Sequence, residues 1–495
     1  MEKYLLCIDN GLTKTKSVIY ALDGREIASS LIDTIVDSKD DWAEIDMELQ
    51  WRNTAAVIRD VIARSGICPS DIIGIGNSGH GAGLYCLDSE NKPVRKAVSS
   101  MDARANSILE QWKREGKSPY DRLYQNFWSG QAIPILSWIK TYERSNYEKI
   151  DKIFMVKDWI IFQLTGVAGI EYTDSSNSGL INPLDKTVDR EILERFGIGE
   201  IYEKIPNLRK SMDIAGTVTK KAAEETGLAE GTPVAGGIFD CIACAVGSGV
   251  IDNKRYSLIA GTWNINSGIE ENLIGRSETV KCSLYIDIDK YFYVESSATS
   301  AVNLEWFVRN IINGFIPTDM PDKELFSMIE TGICNIGIHE SNVIYTPFLY
   351  KSSLSDKLEG SFWGIKPEYG IYHMLKAVYE GVVFAHLKHI ENLKKDGIAR
   401  NKAVLSGGAS KSSVWCQMFA DILNMEIITT QSLQVGALGA AMCTAVAVGE
   451  YTDIESAIRV MVKDKDTYHP NKENHELYMR KYKEFNRIIG TFNRS

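Results

Sequence analysis

The chain has no basic stripe. Its 55 Lys and Arg stand against 65 Asp and Glu, a net charge of −10, which argues against nucleic acid as the main partner and otherwise bears only on solubility. It also lacks a disulfide framework. Nine cysteines, an odd number scattered from Cys7 to Cys443, fit a reducing cytoplasm better. Cys241 and Cys244 form a CxxC and His386 and His389 an HxxH, but no second CxxC exists. Buried thiols are therefore expected rather than zinc. No apolar run is long enough for a bilayer, the longest small-apolar stretch (436–449) being too short and too rich in Gly and Ala. Met1-Glu2-Lys3 leads straight into a strand pattern, so no secretory leader is expected. GxxxxGK[ST], HRD and DFG elements are missing as well, which removes the P-loop and protein-kinase designs.

What is present suits a soluble globular protein. At 495 residues, with 44% hydrophobic and 24% charged content, the chain can build two or three domains, each with its own core. Residues 4–8 read as a buried strand that ends on Asp9-Asn10-Gly11-Leu12-Thr13-Lys14, with further strands over 17–22 and through 27–28. Backbone amides there, with Thr13 and Lys14, can hold phosphate oxygens, and Asp9 can orient Mg²⁺ through water; a solvated hairpin is the competing reading. An amphipathic helix is expected over 47–64. The segment 72–75 reads as a strand running into Gly76-Asn77-Ser78-Gly79-His80-Gly81-Ala82-Gly83. Gly74 to Gly79 matches GxGxxG, but a second strand rather than a helix follows, so a dinucleotide fingerprint is rejected. The glycines suit backbone lying against a small polar ligand, with His80 close by, or else a structural histidine. Asp102 and Arg104, on one side of an extended segment, clamp hydroxyls or pair with each other. The polar clusters at 157–158 and 173–178 read as support for a ligand site.

Near the middle stands Ala235-Gly236-Gly237-Ile238-Phe239-Asp240, before a small-residue run that can begin a helix. Asp240 is then either a simple N-cap or a functional carboxylate near the helix's positive end. A strand over 256–260 runs into Gly261-Thr262-Trp263-Asn264, echoing the first turn and suggesting an internal duplication. A long helix is expected over 370–393, and a strand over 403–405 ends on Ser406-Gly407-Gly408-Ala409-Ser410-Lys411-Ser412 before a helix over 414–423. Such a turn lets adenine or phosphate lie against bare backbone. The helix opened by Gly436-Ala437-Leu438-Gly439-Ala440-Ala441 should pack closely, and the tail from 463 reads as charged, mostly helical and exposed.

In order, Asp9-x-Gly11 with Thr13, Gly236-Gly237-x-x-Asp240, Gly261-Thr262, Ala377-x-x-Glu380-Gly381, Gly407-Gly408-Ala409-x-x-Ser412-x-x-Trp415-x-Gln417 and Ala437-Leu438-Gly439-Ala440-Ala441 resemble the FGGY family of carbohydrate kinases nearly end to end. The resemblance implies an α/β fold of two ribonuclease-H-like, actin/Hsp70-type domains flanking a cleft for ATP and sugar. Residues 1–247 would form the sugar-binding domain with the catalytic Asp, and 248–495 a mainly nucleotide-binding domain. It implies ATP-dependent, Mg²⁺-assisted phosphorylation of a ketose or polyol, with Asp240 as general base and Asp9 placing Mg²⁺ through water. Gly11, Thr13, Lys14, Gly261 and Thr262 would line the phosphates; Gly407, Gly408, Ala409 and Ser412, with Ala301 and Glu305, would meet the nucleotide. Gly79, His80, Gly81, Ala82, Asp102, Arg104, Asp240 and Cys241 would meet the sugar. His80 and Ala82 stand where many members carry Gln and His, Cys241 where D-xylulose kinases carry Asn, and Ser100 where Trp is usual. The Ala82/Cys241 pair, with Trp42-Ala43-Glu44-Ile45-Asp46-Met47 and Ser300-Ala301-Val302-Asn303-Leu304-Glu305-Trp306, resembles the L-xylulose and erythritol kinase branch. The partner implied is a small sugar or polyol, in the cytoplasm, without nucleic acid or membrane and with a homodimer as the assembly allowed. The competing class is an actin/Hsp70-like ATPase or nucleotide switch without sugar phosphotransfer.

Overall fold

The structure, a computed structural model, describes residues 2–274, 279–312, 321–350 and 357–492. The chain divides into two compact units. The first comprises Met1–Ile251, Ile269–Tyr293 and Gln434–Lys463, the second Asp252–Gly268, Val294–Leu433 and Asp464–Ser495.

The first unit opens with a meander, Tyr4–Asn10 (β1), Lys14–Ala21 (β2) and Glu26–Asp33 (β3), antiparallel throughout. The helix Met47–Ser65 (α1) is capped by Asp46, which accepts from the Leu49 amide at 2.9 Å, and stopped by Gly66 in the left-handed region. It packs on β2 and β3. Ile72–Gly79 (β4) then pairs parallel with β1. After Val156–Thr165 (α2), Ile214–Thr217 (β5) and Pro233–Ala235 (β6) complete the sheet in the order β5-β6-β4-β1-β2-β3. A short strand, Ile238–Phe239, also pairs parallel with β4, setting Phe239 opposite Gly79, and passes directly into the helix Asp240–Gly247 (α3).

The second unit repeats this plan. Tyr256–Ala260 (β7) and Asn264–Glu270 (β8) are antiparallel, and Tyr291–Ser297 (β9) flanks β8. Following the long helix Ile371–Lys395 (α4), Lys402–Ser406 (β10) pairs parallel with β7, just as β4 does with β1. Ser413–Leu423 (α5) leads to Glu426–Thr430 (β11), parallel to β10. The chain then supplies Val435–Ala447 (α6) to the first unit before returning with Asp464–Tyr468 (β12), antiparallel to β11, and Lys472–Phe492 (α7). Each unit thus has an antiparallel hairpin flanked by a further strand, two parallel additions and an antiparallel edge strand, so the duplication suggested by two short turns is real at the level of strand order.

Two readings need correction. The tail begins as a strand, and α7 is not simply exposed: Tyr478, Tyr482, Phe485, Ile488 and Ile489 are buried, and Lys481 pairs with the buried Glu380 of α4. Charged composition hid one apolar face. The GxGxxG match lies inside β4, where Gly74 and Gly76 leave room for Val448, Thr444 and the Ala440 carbonyl of α6. Those glycines serve helix–sheet contact. Among the described residues, no helix is long and apolar enough to cross a membrane.

The small-residue helix α6 presses against α3 so closely that a methyl on Gly439 would drive into the Ala243 carbonyl. Gly439→Ala is therefore expected to destabilise the first unit by about 1–3 kcal/mol through overpacking. Gly490→Ala, whose added methyl would meet nothing, should leave stability unchanged or raise it. Thermal melts of both variants test this; an unshifted midpoint for Gly439→Ala would mean that the two helices are not in backbone contact.

Candidate active site

Parallel pairing brings three chain ends to one edge of the first sheet. Asp9 closes β1 opposite Ser78 of β4, and Phe239, opposite Gly79, hands the chain to Asp240. Asp240 is not an N-cap. It is the first residue of α3, whose cap position is Phe239 and carries no side-chain bond. The half-buried carboxylate has its pKa pushed up to about 7, first by burial and then by the charge of Asp9, with hydrogen bonding from Cys241 offsetting part of the rise. Cys241 and Cys244 lie one turn apart on α3, and all nine cysteines are free thiols.

Asp9 accepts from the Ser78 hydroxyl at 2.9 Å and has the Lys16 ammonium 3.7 Å from its other oxygen. Lys16 also reaches Gln434, just before α6, at 3.4 Å. The cation beside Asp9 is thus Lys16, which the sequence reading passed over. The hairpin register pairs Asp9 directly with Lys16, whereas Lys14 falls opposite Asp33 on β3 and forms an exposed ion pair with it. Gly11 closes the turn, its amide donating to the Lys14 carbonyl at 3.0 Å and its carbonyl accepting from Thr34; Thr13 is exposed. Among the described residues no three His, Cys, Asp or Glu side chains converge as a metal cage. A single partly exposed carboxylate suits a hydrated Mg²⁺ shared with substrate phosphates, not a cation held by protein alone.

Behind this edge lies a buried charge cluster. Lys157 on α2 is 3.1 Å from Asp158, 3.6 Å from Glu171 and 3.5 Å from Asp174, all fully buried. Burial disfavours the ammonium, but the three carboxylates outweigh it and its pKa ends above the usual lysine value. Burial pushes Asp174 up to about 6, with Lys157 opposing. Glu171 accepts from the Thr173 hydroxyl at 2.6 Å, and Thr173 in turn accepts from the Phe239 amide at 3.0 Å. The cluster therefore holds the backbone that delivers Asp240.

It also holds the glycine loop. Asp174 accepts from the Ala82 amide at 2.9 Å, Gly79 fits against Val156 and Lys157, and Gly81 lies against the Phe239 ring. His80 is 2% exposed, and neither ring nitrogen has a partner among the described residues. Burial lowers its pKa to about 4, so the ring is neutral and offers one donor and one acceptor. Asp102 and Arg104 occupy a turn, not a strand. Arg104 donates to Asp102 through Nε (2.9 Å) and Nη2 (2.8 Å), bonds Glu44 at 2.7 Å and stacks 3.9 Å from the Trp42 ring. The Ala43 amide takes up Asp102 further, leaving the buried Arg104 Nη1 without a partner. Trp42 supplies the aromatic face lost at Ser100.

In the second unit the equivalent strand edge gathers the other predicted group. Gly407, at φ 88°, packs where any side chain would meet the Ala260 carbonyl, and Gly408 leaves its bare face 3.8 Å from the Ala301 methyl. The Val302 amide donates to the Gly261 carbonyl at 3.3 Å, linking these turns, and Thr262 is exposed. Ala409 is buried, while Ser412 caps α5 by accepting from the Trp415 amide at 3.0 Å. Glu305 is exposed one turn past Ala301 and pairs with Arg309 at 2.5 Å.

Comparison with known proteins identifies the family. The N-terminal domain of the FGGY family of carbohydrate kinases matches residues 4–247, and its C-terminal domain matches 257–448. The chain is 32% identical to "L-xylulose/3-keto-L-gulonate kinase" of Escherichia coli, over 99% of this chain and 97% of that one. It is 34% identical to "Probable L-xylulose kinase" of Haemophilus influenzae, over 98% of each. The crystal structure of ligand-bound xylulose kinase from Lactobacillus acidophilus shares the fold with a TM-score of 0.89 at 23% identity, covering 100% of this chain and 99% of that one. With a carboxylate poised at one strand edge and glycine turns at its counterpart, and with both family domains matched in order, this chain belongs to the FGGY family of carbohydrate kinases and transfers phosphate from ATP to a sugar or polyol.

Proposed function

We propose that the acceptor is L-xylulose or a similar pentulose, and that Asp240 is the general base. The observation that carries the base assignment is a half-buried carboxylate placed at the strand edge beside Asp9, where burial and that neighbouring charge raise its pKa to about 7. A base titrating near neutrality combines availability with driving force. Substrate choice is supported by the names of the two full-length relatives, by Cys241, where D-xylulose kinases usually carry Asn, and by His80 and Ala82, where many family members carry Gln and His.

Asp240 takes the proton from the sugar hydroxyl as its oxygen attacks the γ-phosphorus; the bond to the ADP oxygen breaks, and the protonated carboxyl later returns its proton to solvent. His80, with one donor and one acceptor, and Arg104 Nη1 orient other hydroxyls, with Gly79, Gly81, Ala82 and Cys241 shaping the floor. Asp102 acts by aiming Arg104. Lys16, Gly11 and Thr13, and likewise Gly261 and Thr262, are the residues proposed to meet phosphate oxygens. Gly407, Gly408, Ala409 and Ser412, with Ala301 and Glu305, carry the adenosine. Mg²⁺ held through water by Asp9 would supply charge neutralisation on the phosphates. An ATPase or switch without an acceptor has no use for buried His80 nitrogens and an unpaired guanidinium nitrogen, so the second class is set aside. Free thiols throughout suit the cytoplasm.

Asp240→Asn should bind ATP and sugar yet lose about 10²–10⁴ in kcat; near-normal turnover would remove the assignment. In the wild type, kcat/KM should fall tenfold per pH unit below about 7 and level off above it. The same shift has a stability counterpart. The folded carboxyl binds its proton more tightly than the unfolded one, so stability declines as pH rises from about 4 to 7. Asp240→Asn should accordingly melt higher than wild type at pH 8.

Lys16→Met should cost about tenfold or more in kcat/KM for ATP, as expected for losing a charge at the phosphates. Lys14→Met should change it by less than about twofold, since exposed pairs contribute little. Equal effects in the two variants would contradict the register argument.

A coupled assay across pentuloses, hexuloses, pentitols and erythritol should give its highest kcat/KM with L-xylulose, with no ATP hydrolysis when sugar is omitted. Sugar-independent hydrolysis at the full rate would favour the switch reading instead.

A further inference from the structure

His386 and His389 sit one turn apart on α4, at 0% and 5% exposure. Each ring bridges two other segments of the second unit. His386 places Nδ1 2.8 Å from Asn266 Oδ1 and Nε2 3.1 Å from the Ser300 hydroxyl. His389 places Nδ1 2.5 Å from Glu295 Oε2 and Nε2 2.9 Å from the Ser297 hydroxyl. Asn266 donates through Nδ2 to Asn264 at 2.6 Å, which leaves Oδ1 as acceptor. His386 must then carry its proton on Nδ1 and accept from Ser300 at Nε2. Burial keeps it neutral. Glu295, steadied at its other oxygen by Asn392 at 3.2 Å, orders His389 in the same sense.

A serine–histidine–carboxylate line in an open site is a nucleophile. Here Ser297, His389 and Glu295 are all buried, at 6%, 5% and 5%, so no acyl donor reaches the hydroxyl. What the two rings do is hold a segment. Between Ser297 and Asn303 both serines are tied to α4, while Asn303 donates to Thr299 at 2.7 Å and to the Ser300 carbonyl at 3.0 Å, itself fixed by the Tyr345 hydroxyl at 2.8 Å. Directly after Ser300 comes Ala301, facing Gly408, and then Val302, whose amide bonds the Gly261 carbonyl.

We propose that His386 and His389 are positioning residues for the nucleotide: through Ser300 and Ser297 they set the height of the Ala301 turn against Gly408 and, through Val302, the Gly261–Thr262 turn. This rests on the reading that the nucleotide lies along that edge. The histidines touch no substrate; they act by denying the turn its alternative positions. The neutral His386 ring suits the task because it donates on one side and accepts on the other, coupling sheet, helix and turn in one buried unit.

The test uses Ser300→Ala, Ser297→Ala and the double variant, which remove hydroxyls without touching the helix. Loss of one buried hydrogen bond predicts roughly three- to tenfold in KM for ATP per site, with KM for sugar within about twofold and the melting midpoint lowered by only a few degrees. Ser300→Thr, which keeps the hydroxyl, should retain the wild-type KM. Gly408→Val serves as the control for the nucleotide's place and should weaken ATP binding strongly. If Gly408→Val weakens ATP while the serine variants fold and bind it normally, the positioning role is wrong. If Gly408→Val leaves ATP affinity intact, the nucleotide reading fails and the proposal with it. Parallel losses in ATP and sugar KM together with a large drop in melting midpoint would mark the pair as merely structural and overturn the proposal too.

Discussion

The site depends on one hydrogen bond from the backbone: the Phe239 amide donating to Thr173, whose hydroxyl donates to Glu171. Glu171 belongs to the carboxylate cluster gathered around Lys157. A buried ammonium is costly unless fully compensated, and breaking such a cluster on one side leaves charges stranded in protein. The arrangement therefore resists partial change. It fixes the end of the strand that delivers Asp240, and through Asp174 it fixes the loop bearing His80 as well. Asp240 and the loop bearing His80 thus share a single anchor.

Around that anchor the repeated sheet plan decides where chemistry can occur. In both units the strand preceding the first hairpin and the first parallel addition end side by side. A turn leaving such an edge exposes amides with no ladder partner, available for phosphate. The two copies have diverged in what they add: the first unit places acids there, Asp9 and Asp240, and the second places bare backbone at Gly261, Gly407 and Gly408. The small residues of α6 and α3 serve the first arrangement, because only a close crossing lets α6 begin beside Asp9, where a methyl on Gly436 would lie 3.9 Å from the carboxylate.

Much of this was legible in the residues. Strand β1, helix α1, strand β7 and the turn at Gly407 follow from buried runs, an Asp cap and glycine pairs, all of them local signals. The grouping of Asp9 with Asp240 was legible only through family resemblance, since it arises from parallel pairing across more than two hundred residues. Lys16 was missed because proximity to Gly11 and Thr13 drew attention to Lys14; the hairpin register, with Asp9 opposite position 16, was the signal available. Arg104 pairing with Glu44 and Trp42 could not be read, because it joins segments 60 residues apart that share no periodicity. For α7 the charged residues outnumbered the buried ones, and composition masked the face that packs.

Three unfavourable features meet at the edge beside Lys157. Asp240 is held against its ordinary acidity. His80 has two nitrogens buried without partners. Ala82 adopts φ 60° while fully buried, a conformation costing roughly 1–2 kcal/mol outside glycine. Glycine at position 82 would relieve that strain, and the chain already uses glycine at 79, 81 and 83. Packing alone explains none of the three costs; on the proposed reading, a sugar hydroxyl that bonds the imidazole and another that gives its proton to the carboxylate would relieve the first two. The cluster around Lys157 is what lets the fold tolerate them together, because it makes the backbone beneath too stiff to relax away from them.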